Sequence, residues 1–157
     1  MTIAEIITML QELDGTLVWR PGPGDGSPEI AWGDVFCYYA PDQVVPATGQ
    51  PFATIVVKDY PGDDRSRLDR PDTFRVNVAA GRQEFIDRLG RQPRDAEPPG
   101  TDPSRSDTVM AHPVYGELGW LAVVNPGRRT EADVRALIRK AHSSARNRWQ
   151  RRTVPRH

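Results

Sequence analysis

Thr73-Phe74-Arg75-Val76-Asn77-Val78 alternates apolar and polar side chains with the period of two that a half-buried β-strand requires. Phe74, Val76 and Val78 are expected to face a core, and Arg75 and Asn77 to face away from it. Upstream, Phe52-Ala53-Thr54-Ile55-Val56-Val57-Lys58 is apolar on both faces, which suits a strand in the middle of a sheet. Val35-Phe36-Cys37-Tyr38-Tyr39 and Thr16-Leu17-Val18-Trp19-Arg20 are rich in β-branched and aromatic residues and read as two more strands. Downstream, Trp120-Leu121-Ala122-Val123-Val124 is strand-like and stops at the turn Asn125-Pro126-Gly127, and Thr108–His112 reads as a short strand.

Three helices frame these strands. Thr2 and Glu5 have capping-box spacing, Ile3, Ile6, Ile7, Leu10 and Leu13 follow at helical spacing, and Gly15 supplies a stop. Gln83–Leu89 is a short helix presenting Phe85, Ile86 and Leu89. Thr130 and Asp133 look like the cap of a long last helix with the stripe Val134, Leu137, Ile138, Ala141, Ala145 and Trp149. Most strands are joined by loops rather than helices, so a doubly wound parallel sheet is excluded. The expected class is α+β in two layers: a largely antiparallel sheet of about five to six strands with N-terminal, middle and long C-terminal helices.

At 157 residues the chain fits one domain. The expected organisation is a single α+β domain over 1–150, a flexible polar insertion at about 91–107, and a basic tail at 151–157. The insertion, with Glu97-Pro98-Pro99-Gly100-Thr101-Asp102-Pro103 at its heart, has no apolar periodicity. A single cysteine, Cys37, excludes an internal disulfide framework, and with only three histidines it also excludes a cysteine-rich zinc module. No apolar run approaches the ~18 residues of a membrane span, and no signal-peptide pattern opens the chain, so a cytoplasmic, non-membrane protein is expected.

The 21 basic and 21 acidic residues cancel, but unevenly. Arg128–His157 holds ten basic and two acidic residues, +8, and leaves −8 on the rest. Such a tail suits either an anionic partner or the dipole of a C-terminal helix. It lacks the aromatic interleaving of a single-strand binder.

Three segments carry a resemblance. Lys58-Asp59-Tyr60-Pro61-Gly62 with Leu68-Asp69-Arg70, then Phe74-Arg75-Val76-Asn77-Val78, and finally His112-Pro113-Val114-Tyr115-Gly116 with Gly119-Trp120 through Asn125-Pro126 resemble an actinobacterial family of uncharacterised proteins, a domain of unknown function. The block from His112 to His142 also resembles the YjbR/MmcQ group, whose fold is similar to that of type III secretion chaperones. Here Glu117-Leu118-Gly119 precede Trp120, where that group carries a lysine/histidine-flanked tryptophan. The resemblance implies a fold and no catalytic residues.

Two constellations offer chemistry. The loop Asp59–Asp72 mixes five aspartates with Arg65, Arg67 and Arg70 and is flanked by Lys58 and Arg75. It is either an anion pocket, since arginine forks pair with carboxylates and phosphates, or a self-neutralising surface loop. It lacks calcium-loop spacing, so no metal is expected there. In His112-Pro113-Val114-Tyr115-Gly116, His112 is a candidate general acid/base with Tyr115 as partner, or a turn histidine bonded to backbone. Cys37, among Phe36, Tyr38 and Tyr39, reads as a buried small hydrophobe. Trp19, Trp32 and Trp120 read as core or core edge. If the second sheet face is uncovered, Trp32, Tyr39 and Tyr60 would line an aromatic recess.

The leading expectation is therefore a non-catalytic binding module for a small anionic ligand or protein partner. Lys58, Arg70, Arg75 and Asn77 are its expected ligand-binding residues, with no cofactor. A small enzyme using His112 is the alternative. Nucleic-acid binding through the basic C-terminal helix is the third reading, and a homodimer is open.

Overall fold

The capping box forms: the Thr2 hydroxyl accepts the Glu5 N–H at 3.1 Å and the Glu5 carboxylate accepts the Thr2 N–H at 3.2 Å. Helix α1 (Ile3–Glu12) follows and buries Ile6, Ile7, Met9 and Leu10. The computed structural model describes residues 1–153. In chain order it continues with β1 (Thr16–Trp19), β2 (Val35–Tyr39), β3 (Ala53–Val56), β4 (Arg75–Ala79), α2 (Arg82–Leu89), β5 (Met110–Ala111), β6 (Trp120–Val124) and α3 (Glu131–Thr153). The expected basic tail splits: residues 151–153 extend α3, and the remainder lies outside the described residues. The strands form one sheet in the order β1-β2-β3-β4-β6-β5, every pair antiparallel. The fold is the expected α+β. No helix among the described residues is long and apolar enough to cross a membrane.

One sheet face carries the main core. Val35 and Cys37 of β2, Ile55 of β3, Val76 and Val78 of β4, and Leu121 and Val123 of β6 pack with α1 and with Val134, Leu137, Ile138 and Ala141 of α3. The alternation read in β4 places Val76 and Val78 there correctly.

The other face is where expectation and structure part. Arg75 and Asn77 do point away from the main core, yet they are only 1% and 2% exposed. The loop 57–72 folds back over them as a third layer. Leu68 enters a small second core with Val56 and Val124, Ser66 is fully buried, and Tyr60 packs alongside. Strand periodicity reports which side a residue faces. It does not report what covers that side.

The start of α3 is also held differently from its expected cap. The Asp107 carboxylate accepts the N–H groups of Gly127, Arg129 and Thr130 and the Thr130 hydroxyl at 2.6–3.1 Å. Thr130 thus donates its hydroxyl rather than capping with it, and Asp133 pairs with Arg88 of α2. A carboxylate at a helix N-terminus satisfies free amides and complements the dipole.

One glycine is required by a close backbone approach. Gly119 has φ +87°, and a Cβ there would lie 3.0 Å from the Gly81 carbonyl carbon at the start of α2. Backbone cannot swing aside as a side chain would. Gly119→Ala is expected to cost about 2–4 kcal/mol in chemical denaturation, from left-handed strain plus the clash. A loss below about 1 kcal/mol would show that α2 can move.

Candidate functional site

The four residues expected to bind an anion are not assembled as a pocket. Arg75 donates from Nε to Asn77 Oδ1 at 2.7 Å, from Nη1 to Asp63 and Ser66 at 3.0 and 2.9 Å, and from Nη2 to Asp63 at 2.6 Å. Its remaining N–H faces His112 Nε2 at 3.1 Å. Asn77 passes the network on to Thr54 at 3.0 Å. Burial would raise the Asp63 pKa, but the hydrogen bonds and charge of Arg75 hold it below the usual carboxylate range. Arg70 is spent on the carbonyls of Arg67, Ser66 and Ser104, and so ties the loop 57–72 to the polar segment 91–107. Lys58 sits apart: its Nζ donates to the Trp32 carbonyl at 2.6 Å and pairs with the fully buried Asp34 at 3.2 Å. Asp34 also accepts from the Val57 amide and the Tyr60 hydroxyl. Burial, then the Asp34 carboxylate, push the Tyr60 phenol pKa up. Tyr60 and Trp32 therefore belong to this loop layer and not to an open aromatic face.

His112 is 4% exposed, and its Nδ1 accepts the amides of both Val114 and Tyr115 at 3.0 Å. An amide only donates, so these partners assign the neutral ring its proton on Nε2, where it meets the Arg75 guanidinium at 3.1 Å as donor against donor, with the Asp63 carboxylate 3.9 Å away. A second proton would have to land on Nδ1 and break the turn. Burial first, then the Arg75 charge, push the His112 pKa down to about 3 against the pull of Asp63. That is a poor match for an acid or base working near neutrality. Tyr115 contributes its backbone amide, and its half-exposed ring packs 4.9 Å from the imidazole. Cys37 lies on the opposite sheet face, fully buried, and burial pushes its thiol up to about 12. Among the described residues, no group of three or more histidine, cysteine, aspartate or glutamate side chains is placed to hold a metal.

A different place is built as a cavity. β2 and β4 end, and β3 and β6 begin, at one end of the sheet, where the 40–52 connection crosses beside the last turns of α3. A recess of about 770 Å³ opens there, walled by Tyr38, Tyr39, Trp120 and Trp149 and edged by Arg148 and Arg152. Typical small-molecule sites enclose ~300–1,000 Å³. Tyr39 is fixed edge-on between His142 at 5.5 Å and Trp149 at 6.1 Å. His142 in turn donates from Nε2 to the Asp14 carbonyl at 2.6 Å, which pins α3 to the end of α1. Gly15 is needed at this junction, since a Cβ there would meet the Tyr39 ring at 2.6 Å. Asp42 is the acidic residue at the rim, and its carboxylate accepts the Val44 amide.

Residues 1–154 match the model of a family described as a family of unknown function, DUF6194. The chain belongs to the DUF6194 family. No curated protein and no solved structure is significantly similar to this DUF6194 chain.

The sequence reading places Trp149 in the core stripe, counts Arg148 and Arg152 only within the basic C-terminal stretch of the nucleic-acid alternative, and gives Tyr38 no role. The available signal was a single aromatic, Trp149, flanked by Arg148 and Arg152 near the helix end, too little to count as the repeated interleaving of a single-strand binder.

Proposed function

We propose that this protein is a binding module for a small anionic ligand and that its site is the recess at the α3 end of the sheet. The observation that carries the reading is the recess itself, with four aromatic side chains and an arginine pair spaced one helical turn apart. Aromatic walls favour an apolar or planar ligand body, and guanidinium groups favour its carboxylate, sulfonate or phosphate. The Arg75 cluster, in which four of the five guanidinium N–H groups are taken up by Asn77, Asp63 and Ser66, holds the sheet and its loop cover together. Trp120 links the two regions, because its ring lies 6.3 Å from His112 on one side and lines the recess on the other.

The anionic aromatic probe anilinonaphthalene sulfonate tests this reading. Saturable one-to-one binding to the folded protein is expected, weakened at least 10-fold by Trp149→Ala and by Arg148→Glu/Arg152→Glu, with thermal midpoints within a few degrees of wild type. Equal binding by wild type and variants, or none by wild type, would place any ligand elsewhere.

A further inference from the structure

We infer that the recess takes a nucleotide, a planar base carrying phosphate, either free or as part of a single strand; this rests on the binding reading above and names its ligand class. Three chemistries meet in the cavity. Tyr38 and Trp149, both only partly buried, offer aromatic surface on which a planar ring of any identity can stack, and the buried Trp120 backs the cavity. Thr48 and Gln50, in the loop that forms the outer wall, offer a hydroxyl and an amide able to read the donor and acceptor edge of a heterocycle. Arg148 and Arg152 lie about 6 Å apart along the helix axis, within reach of one phosphate group. A purely aromatic carboxylate would need the walls and one cation, but would leave the polar wall unused.

The surroundings extend the same logic. From Arg139 to Arg152, α3 carries six basic residues and no acidic one. Of these six, only Lys140 has a carboxylate partner among the described residues, the Glu84 side chain of α2. Arg139, Arg146 and Arg151 are exposed beyond the recess, so the field around it is positive on the α3 side. Phosphate groups running out of the cavity would find cations along this helix.

The test displaces bound anilinonaphthalene sulfonate with thymidine monophosphate, adenosine monophosphate, inorganic phosphate and a twelve-residue oligothymidylate, at two salt concentrations. Mononucleotides are expected to displace the probe at least 10-fold better than inorganic phosphate, and Arg148→Glu/Arg152→Glu to abolish that preference. A free nucleotide as the natural source predicts that the oligonucleotide gains less than 10-fold over the monomer. A single strand predicts a larger gain with steep salt dependence, reduced by Arg146→Glu/Arg151→Glu. If the probe binds in the recess and no nucleotide displaces it, the ligand class is wrong while the binding reading stands. If the probe does not bind wild type, the binding reading itself has failed.

Discussion

Replacing Arg75 with alanine is expected to lower the unfolding free energy by about 3–5 kcal/mol, the cost of removing one partner from a buried ion pair. The substitution leaves the Asp63 carboxylate facing the sheet and removes the partner of the Ser66 hydroxyl and of the Asn77 carbonyl oxygen. It also opens a void, because Arg75 is among the largest fully buried side chains. Urea unfolding followed by tryptophan fluorescence reads the change. A second variant separates a strut from a binding residue. Arg75→Met combined with Asp63→Ala removes both charges and is expected to recover most of the loss, because apolar replacement of a buried pair is often neutral. Affinity for the recess probe should remain close to wild type in that double variant. A loss under about 1 kcal/mol for Arg75→Ala would mean that the loop 57–72 is held by its apolar contacts alone.

The second large effect is on pH dependence. An unperturbed histidine titrates near ~6.5, whereas folded His112 resists protonation down to about 3. Between these values the unfolded chain takes up a proton that the folded chain refuses. Its stabilisation is therefore complete above about pH 6.5 and is lost as pH falls towards 3, at up to ~1.4 kcal/mol per pH unit. Asp63, depressed by Arg75, acts in the same direction but only below its ordinary range near ~4. His112→Gln should reduce stability at pH 7 by about 1–3 kcal/mol through its lost hydrogen bonds. It should also flatten the stability profile between pH 6.5 and about 4. Parallel profiles for wild type and variant would show that His112 is free to charge in the folded state.

The parts of the fold that could be read from the chain are those governed by neighbours in sequence. Thr2 and Glu5 cap α1 because three residues separate them, and the stripe from Val134 to Ala145 is buried because helical spacing puts it on one side. The strand set follows from β-propensity and alternation in the same way. The anion site expected at Lys58, Arg70, Arg75 and Asn77 was a judgement about exposure, and exposure is not a local property. Nothing in the polar, aperiodic run from Asp59 to Asp72 announces that it will lie across β4, yet Leu68 and Ser66 within it are almost completely buried. His112 was legible as a histidine at a turn. Only its contacts with the Val114 and Tyr115 amides and with Arg75 decide that it is held neutral.

By itself the sequence determined the α+β class, the strand and helix set, the capping box of α1 and the buried role of Cys37, because each depends on period, cap or composition within a few residues. Tertiary structure alone decided three things. It turned the outward face of β4 into a buried polar layer, because the energy of closing that face comes from contacts 9–37 residues apart in the chain. It brought Asp107 to the start of α3 from 23 residues away. And it made a recess from the end of β2, the 42–51 loop, the start of β6 and the last turns of α3, four segments that share no local pattern and meet only because an antiparallel sheet gathers alternate strand ends on one side.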